Sequence, residues 1–123
     1  MHVDTQDLVF EVDSPYVDLA VEVFTLLADT TRVRIILALQ QQEMSVNHLA
    51  QTVGKGPTAV SQHLAKLRWG RIVKARPDGN RAIYSLVDEH ARQLVIQAVL
   101  QAQHAVEDLP SHHAQPPASP PAP

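Results

Sequence analysis

The sequence has no cysteine, which excludes disulfide bonds and thiolate metal ligands and fits a cytoplasmic protein. Aromatic residues make up only 4% of the 123 residues, so aliphatic side chains must fill the core. No apolar run approaches the roughly 18 residues of a membrane span. The acidic N-terminus lacks the basic and apolar segments of a signal peptide. These absences predict one cytoplasmic domain with no membrane partner.

Positive charge is scarce overall but concentrated in one segment. The formal net charge is −3 at pH 7. Residues 55–81 nevertheless hold seven Lys and Arg against Asp78 alone, and the segments on either side are net acidic. A local basic segment of this kind is typical of a surface that binds nucleic acid. A solvated basic surface with no partner is the alternative.

Helical periodicity and capping residues predict five helices and one hairpin. The predicted helices run from Ser14-Pro15 to about Leu27, from Asp29 or Thr30 through Leu39, from Ser45 to Gly54, from Pro57 to Gly70, and from about Glu89 to Val106. Strands at 72–75 and 82–86 flank the turn RPDGNR. Pro110 is expected to end the last helix.

This order predicts a mainly α fold with a small β-hairpin (α+β), arranged as a winged helix-turn-helix over residues 15–107. Residues 1–14 are acidic and aperiodic, and we expect an irregular arm there. Residues 108–123 hold a His-His pair and a proline-rich end, which predict a flexible tail.

The fourth predicted helix separates an apolar stripe from a polar face. At about 100° per residue, Val60, Leu64 and Leu67 share one side. The other side carries hydroxyl, amide and cationic groups, which read base edges and hold phosphates. The predicted DNA contacts are Thr58, Ser61 and Gln62 to bases, Lys66 and Arg68 to phosphate, and Arg76, Asn80 and Arg81 of the hairpin to the backbone or minor groove. An ordinary solvated face is the alternative for each, and His63 is expected at the core boundary.

Four stretches resemble the ArsR/SmtB family of bacterial metal-sensing repressors. They are LADTTRVRIILAL at 27–39, MSVNHLA at 44–50, VSQHLAKLR at 60–68 and RPDGNRAIYSL at 76–86. The resemblance implies a homodimer joined through its first and last helices, which binds an inverted-repeat operator in double-stranded DNA. In most members, metal binding weakens the hold on DNA. The family's cysteine site near the third helix is absent because Ser45 and Asn47 stand there, which argues against sensing of soft ions.

A second family site lies between the paired last helices, and Asp88-Glu89-His90 resembles its Asp-x-His half. His104 falls on the same helix face as His90, fourteen residues later. At about 1.5 Å per residue, these two positions are about 21 Å apart along the axis. One ion with bonds of about 2.1 Å cannot span that distance. Antiparallel pairing of two helices would instead bring His90 of one chain beside His104 of the other.

The end of the last helix resembles the actinobacterial nickel- and cobalt-sensing branch, the KmtR-like and SrnR-like proteins. That branch has an acid-His pair followed by a His-His pair, which here read Gln103-His104 and His112-His113. Glu107 can supply the missing carboxylate. The resemblance implies a nickel site, with cobalt or zinc as alternatives, drawn from Asp88, His90, Gln103, His104, Glu107, His112 and His113.

Other interpretations stay open at this point. Asp88 also suits a helix cap, His90 and His104 suit ordinary interface positions, and His112 and His113 suit a surface tail. The fold also suits a regulator that senses no metal, one that works with a second regulatory protein, or a protein adaptor that does not bind DNA. No phosphate-binding loop or paired nucleophile and base is present, so we expect no enzyme.

Overall fold

The structure, a computed structural model, describes residues 7–108. Its elements are α1 (Val17–Leu27), α2 (Thr30–Gln41), β1 (Met44–Ser45), α3 (Val46–Val53), α4 (Pro57–Trp69), β2 (Val73–Asp78), β3 (Arg81–Leu86) and α5 (His90–Glu107). The predicted order of helices and hairpin is confirmed. Pro110, His112 and His113 lie outside the described residues, as do residues 1–6 of the expected arm. Within 7–108, no helix combines the length and apolar character needed to cross a membrane.

Side-chain caps set the starts of the central helices. The Asp29 carboxylate accepts a hydrogen bond from the Arg32 backbone N–H at 3.0 Å, and the Ser45 hydroxyl accepts one from the His48 N–H at 3.2 Å. Both groups satisfy N–H donors that a helix start leaves unpaired. The expected start of α1 at Ser14-Pro15 is wrong by two residues. Ser14 lies in a preceding turn, where its hydroxyl accepts from the Tyr16 N–H at 3.2 Å.

The hairpin is longer and its turn tighter than the sequence predicts. The expected turn over 76–81 is wrong, because Arg76, Pro77 and Asp78 continue β2 and pair with β3. The turn is only Gly79-Asn80, and Gly79 has φ 68°. Pro77 is tolerated because β2 is an edge strand in the order β1-β3-β2. The short strand β1 was not predicted, since two residues show no periodicity.

The core lies between α2, α3, α4 and the sheet. Val60, Leu64 and Leu67 are fully buried, which confirms the predicted stripe of α4. They pack in one cluster with Ile35 and Ile36 of α2 and with the buried residues Leu49, Val73 and Val95. The buried stripe of α4 therefore packs on an apolar core, and α5 packs against α2 with Val95 in the same cluster.

Candidate DNA interface and metal site

The exposed face of α4 carries all five predicted DNA contacts of that helix. Gly56 and Pro57 begin α4, and proline at the first position fixes the backbone without removing a helix bond. Thr58, Ser61 and Gln62 line one shallow groove with Val46 and Pro57. Lys66 and Arg68 are exposed one to two turns further along. The structure thus places hydroxyl and amide groups near the helix start and cations near its end.

The turn between α3 and α4 adds polar residues that the sequence analysis did not assign. Gly54 has φ 72° and ends α3 in the left-handed conformation. A second groove beside this turn is lined by Asn47, Gln51 and Lys55. Pro57 lines both this groove and the groove on α4. The side chains beside the turn therefore extend the exposed face of α4. The signal that could have found Lys55 was its place in the basic segment.

Two of the predicted hairpin contacts already have carboxylate partners. Arg76 Nη2 lies 2.8 Å from Glu43 Oε1, and Arg76 Nε lies 3.5 Å from Glu43 Oε2. The hydrogen bonding and the attraction between the two opposite charges lower the pKa of Glu43 and raise that of Arg76. Arg81 Nη2 contacts Asp78 Oδ2 at 3.3 Å. Each guanidinium keeps further N–H donors for phosphate, because arginine carries five.

Asn80, the third predicted hairpin contact, sits exposed in the two-residue turn. Glu43 was missed because it is 33 residues from Arg76 in sequence. Antiparallel pairing of β1 with β3 and of β3 with β2 brings the α2–β1 connection beside the hairpin. The Glu43 carboxylate therefore reaches the β2–β3 hairpin, which is the wing of the fold, only once the sheet has formed.

His63 lies at the edge of the core and links two helices. Its Nδ1 accepts a hydrogen bond from Arg32 Nε at 3.1 Å. Arg32 Nη1 also donates to the carbonyl oxygen of Leu26 at 3.0 Å. The backbone N–H of Arg32 donates a hydrogen bond to the Asp29 carboxylate, and this bond is the main cause of the lowered pKa of Asp29. The prediction of a boundary histidine is confirmed, and this network fastens α4 to α2 and to the end of α1.

One of the candidate metal ligands caps the first backbone N–H of α5, whereas the side chain of Glu89 at the N-cap position makes no capping hydrogen bond to the helix start. Asp88 Oδ1 accepts a hydrogen bond from the His90 backbone N–H at 2.9 Å. The cap uses one carboxylate oxygen, and a carboxylate has a second that can coordinate a metal. His90, the first residue of α5, is exposed. Capping and coordination are therefore compatible roles for Asp88.

The other candidate ligands lie at the opposite end of α5. Gln103, His104 and Glu107 are exposed in its last two turns. The helix is continuous over 18 residues, so the axial separation of about 21 Å between His90 and His104 stands. Within residues 7–108, no group of three or more His, Asp or Glu side chains comes together in one chain. Imidazole and carboxylate donors suit nickel, cobalt or zinc.

An apolar groove runs between α1, α2 and α5 on the single chain. It is lined by Phe24, Leu27, Ala28, Val33, Leu94, Val95, Ala98, Val99 and Ala102. Phe24 is 58% exposed and Val99 43% exposed. A contiguous exposed apolar surface of this kind is typical of a protein–protein interface. Its position along α5 places it between the two ends that carry the candidate ligands.

Residues 29–75 match the family described as "Bacterial regulatory protein, arsR family". The chain is 56% identical over 95 residues to the HTH-type transcriptional regulator KmtR of Mycobacterium tuberculosis, covering 77% of this chain and 73% of that one. It is 39% identical over 80 residues to the cadmium resistance transcriptional regulatory protein CadC homolog of Staphylococcus aureus, covering 64% and 66%.

A solved structure has the same fold. The homodimeric winged helix-turn-helix DNA-binding domain of a possible ArsR-family transcriptional regulator from Mycobacterium bovis superimposes with a TM-score of 0.70. Its sequence identity is 28%, and the match covers 86% of this chain and 100% of that one. The resemblance seen in the sequence is thus confirmed at the level of both sequence and fold.

Proposed function

Because this chain belongs to the ArsR family of bacterial regulatory proteins, we propose that it is a metal-responsive transcriptional repressor. Its relatives are DNA-binding transcriptional regulators and not enzymes, and it shares their winged helix-turn-helix fold. The proposed protein is a homodimer that binds an inverted-repeat operator. Nickel, or alternatively cobalt or zinc, binds at the α5 interface and alters DNA affinity.

The proposed DNA contacts rest on the exposed face of α4 and on the wing. A helix-turn-helix presents the N-terminal residues of its second helix to base edges, and here those residues are Thr58, Ser61 and Gln62. Lys66 and Arg68 follow on the same helix and suit phosphate. Arg76, Asn80 and Arg81 extend the contact from the wing. This face lies within the chain's only strongly basic segment, residues 55–81.

The proposed dimer rests on the apolar groove between α1, α2 and α5. A second copy of the chain offers the same surface, and a two-fold axis lets one patch bury its own copy. Antiparallel pairing of α5 then places His90 and Asp88 of one chain near Gln103, His104 and Glu107 of the other. The twofold axis gives two equivalent sites. The tail residues His112 and His113 complete the proposed ligand set.

The observation that carries metal sensing is the distribution of donors on α5. Exposed imidazole and carboxylate groups lie at both ends of a continuous helix, and the apolar dimer surface lies between them. A bound divalent ion would supply a cross-link between the two helices. α5 packs on α2 through Val95, and the Arg32–His63 bond joins α2 to α4. A changed α5 arrangement is therefore transmitted through packed elements to the recognition helix.

The test is an operator titration with and without nickel, cobalt and zinc, on the parent and on His104→Ala. The operator is first recovered by selection from random duplexes. We expect nickel to change the DNA affinity of the parent and to do so much less in the variant. His48→Ala is the matched control, because His48 is exposed on α3 and far from α5 in the chain. Equal metal responses in the parent and in His104→Ala would remove His104 from the mechanism.

The same titration separates the rival functions. A parent that binds DNA tightly and binds none of the three metals is a regulator that senses something else. A parent that has no measurable DNA affinity, like the variant in which Lys66 and Arg68 are neutralised, is a protein adaptor with this fold. Operator binding that is lost on neutralisation and altered by nickel supports the proposal.

A further inference from the structure

Arg71 has a backbone conformation that, in the part of the chain that the structure describes, is otherwise found only at glycine. Among residues 7–108, positive φ angles occur at Gly54 (72°), Gly79 (68°) and Arg71 (62°). A side chain in this left-handed region meets its own backbone, and glycine avoids that contact. An arginine with this backbone conformation at position 71 therefore requires an explanation.

The end of α4 imposes this conformation on Arg71. The Ile72 N–H donates to the Leu67 carbonyl at 2.9 Å, and the Arg71 N–H donates to the Arg68 carbonyl at 3.0 Å. These bonds close the last turn in the manner of a Schellman motif, whose left-handed residue is usually glycine. The strain is thus built into the way α4 ends, and it costs stability in the folded protein.

A glycine is present one residue earlier, but it serves a different purpose. Gly70 has φ −80°, which any residue can adopt. A Cβ atom added there would collide with Leu26 Cδ2 of α1. Gly70 therefore leaves room for the Leu26 side chain in its present position, and Arg71 is left with the left-handed position.

The side chain of Arg71 is exposed beside the proposed DNA surface. It lines a groove with Ser61, Arg68, Trp69 and Tyr84, between α4 and the sheet. Ser61 and Arg68 belong to the DNA contacts proposed above. Arg76 and Arg81 are paired with carboxylates, whereas neither of the two ion pairs found within residues 7–108 includes Arg71. Within the described residues its guanidinium forms no ion pair, although Glu22 of α1 lines a neighbouring groove with it.

We propose that Arg71 contacts a DNA phosphate, and that the chain keeps arginine in this strained position for that contact. Strained residues persist where the surrounding structure holds them and where function uses them. The left-handed backbone turns the side chain at the point where the chain leaves α4 for the wing. The inference rests on the proposed DNA binding and adds one contact from each protomer.

Three substitutions in the full chain separate charge from strain. Arg71→Gly removes both, Arg71→Gln removes only the charge, and Arg71→Lys keeps both. Thermal unfolding by circular dichroism measures the strain, and fluorescence anisotropy with a short labelled random-sequence duplex measures DNA binding at two salt concentrations. Each phosphate contact contributes about 0.9 to the slope of log affinity against log salt, so two lost contacts per dimer lower the slope by about 1.8.

We expect Arg71→Gly to raise the Tm by about 4 °C while weakening DNA binding. When salt is raised from 50 to 200 mM, the DNA affinity of Arg71→Gly should fall by a factor about ten times smaller than the factor for the parent. Arg71→Gln should weaken DNA binding equally without the gain in Tm, and Arg71→Lys should match the parent in both measurements. Unchanged affinity and slope in Arg71→Gly and Arg71→Gln would overturn the proposal. A parent that binds no duplex at all would instead refute the proposed function.

Discussion

Two variants that each lose tight nickel binding as homodimers should regain it when one copy of each is paired in a heterodimer. The perturbation is His90→Ala in one copy and His104→Ala in the other, each full length and each with a different affinity tag. The two histidines lie at opposite ends of the continuous helix α5, about 21 Å apart along its axis. A site that needs both must therefore take one from each protomer.

The expected magnitude follows from symmetry. In the proposed dimer the two-fold axis gives a pair of equivalent sites, each with His90 from one protomer and His104 from its partner. A His90→Ala homodimer lacks His90 in both sites, and a His104→Ala homodimer lacks His104 in both. In the heterodimer, one site loses both histidines and the other keeps both. The heterodimer should therefore bind about one tight ion per dimer.

The assay is isothermal titration with nickel after co-expression and sequential purification on the two tags. The parent, the two homodimers and the heterodimer are measured at the same protein concentration. A heterodimer of the parent chain with the double variant His90→Ala, His104→Ala is the control, because it should contain no site with both histidines. The reasoning is refuted if the mixed heterodimer binds no more tightly than the two homodimers, or if the control binds as well as the mixed heterodimer.

Three further changes test individual side chains. Asp88→Asn should keep most of the α5 cap and its stability while weakening nickel binding at least tenfold, whereas Asp88→Ala should also lose about 1 kcal/mol of unfolding free energy in urea. Glu43→Gln should raise DNA affinity a few-fold, since it frees Arg76 and removes a negative charge near phosphate; a lower affinity would show that Glu43 positions Arg76 instead. The lowered pKa of Asp29 means that its stabilising effect is complete above its ordinary value of 3.8 and is lost as the pH falls through its folded pKa. The unfolding free energies of the parent and Asp29→Ala should therefore differ by about 1 kcal/mol at neutral pH and converge in acid, and a constant difference down to low pH would contradict this.

Local patterns predicted the parts of the fold that depend on local interactions. The stripe of Val60, Leu64 and Leu67 was predictable because a helix that packs on a core repeats its apolar residues with the helical period. The caps at Asp29 and Ser45 were predictable because each side chain bonds to a backbone N–H three residues later. The turn was placed too broadly because Pro-Asp-Gly favours a turn locally, whereas pairing with β3 extends the strand through Asp78.

Features that depend on distant contacts could not be predicted in the same way. The Glu43–Arg76 pair joins residues 33 positions apart, and only the sheet brings them together. The left-handed backbone of Arg71 carries no signal in the sequence, because the neighbouring glycine satisfies a contact with Leu26 instead. The candidate metal ligands could be placed at the two ends of one helix, but their proposed assembly by a second chain stays a prediction. The roles of His112 and His113 as metal ligands stay predictions.

The contact at Gly70 has a consequence for the DNA sequences that this protein can recognise. In the proposed dimer, α1 belongs to the interface and α4 enters the major groove, so the contact between Gly70 and Leu26 is one point at which the interface meets a recognition helix. One hydrogen in place of a methyl group lets α4 approach Leu26 this closely. Half-sites must be about 34 Å apart to present successive major grooves to two recognition helices. A larger residue at position 70 would have to displace the Leu26 side chain, so we expect residue 70, which reads no base itself, to influence the half-site spacing that the proposed dimer prefers.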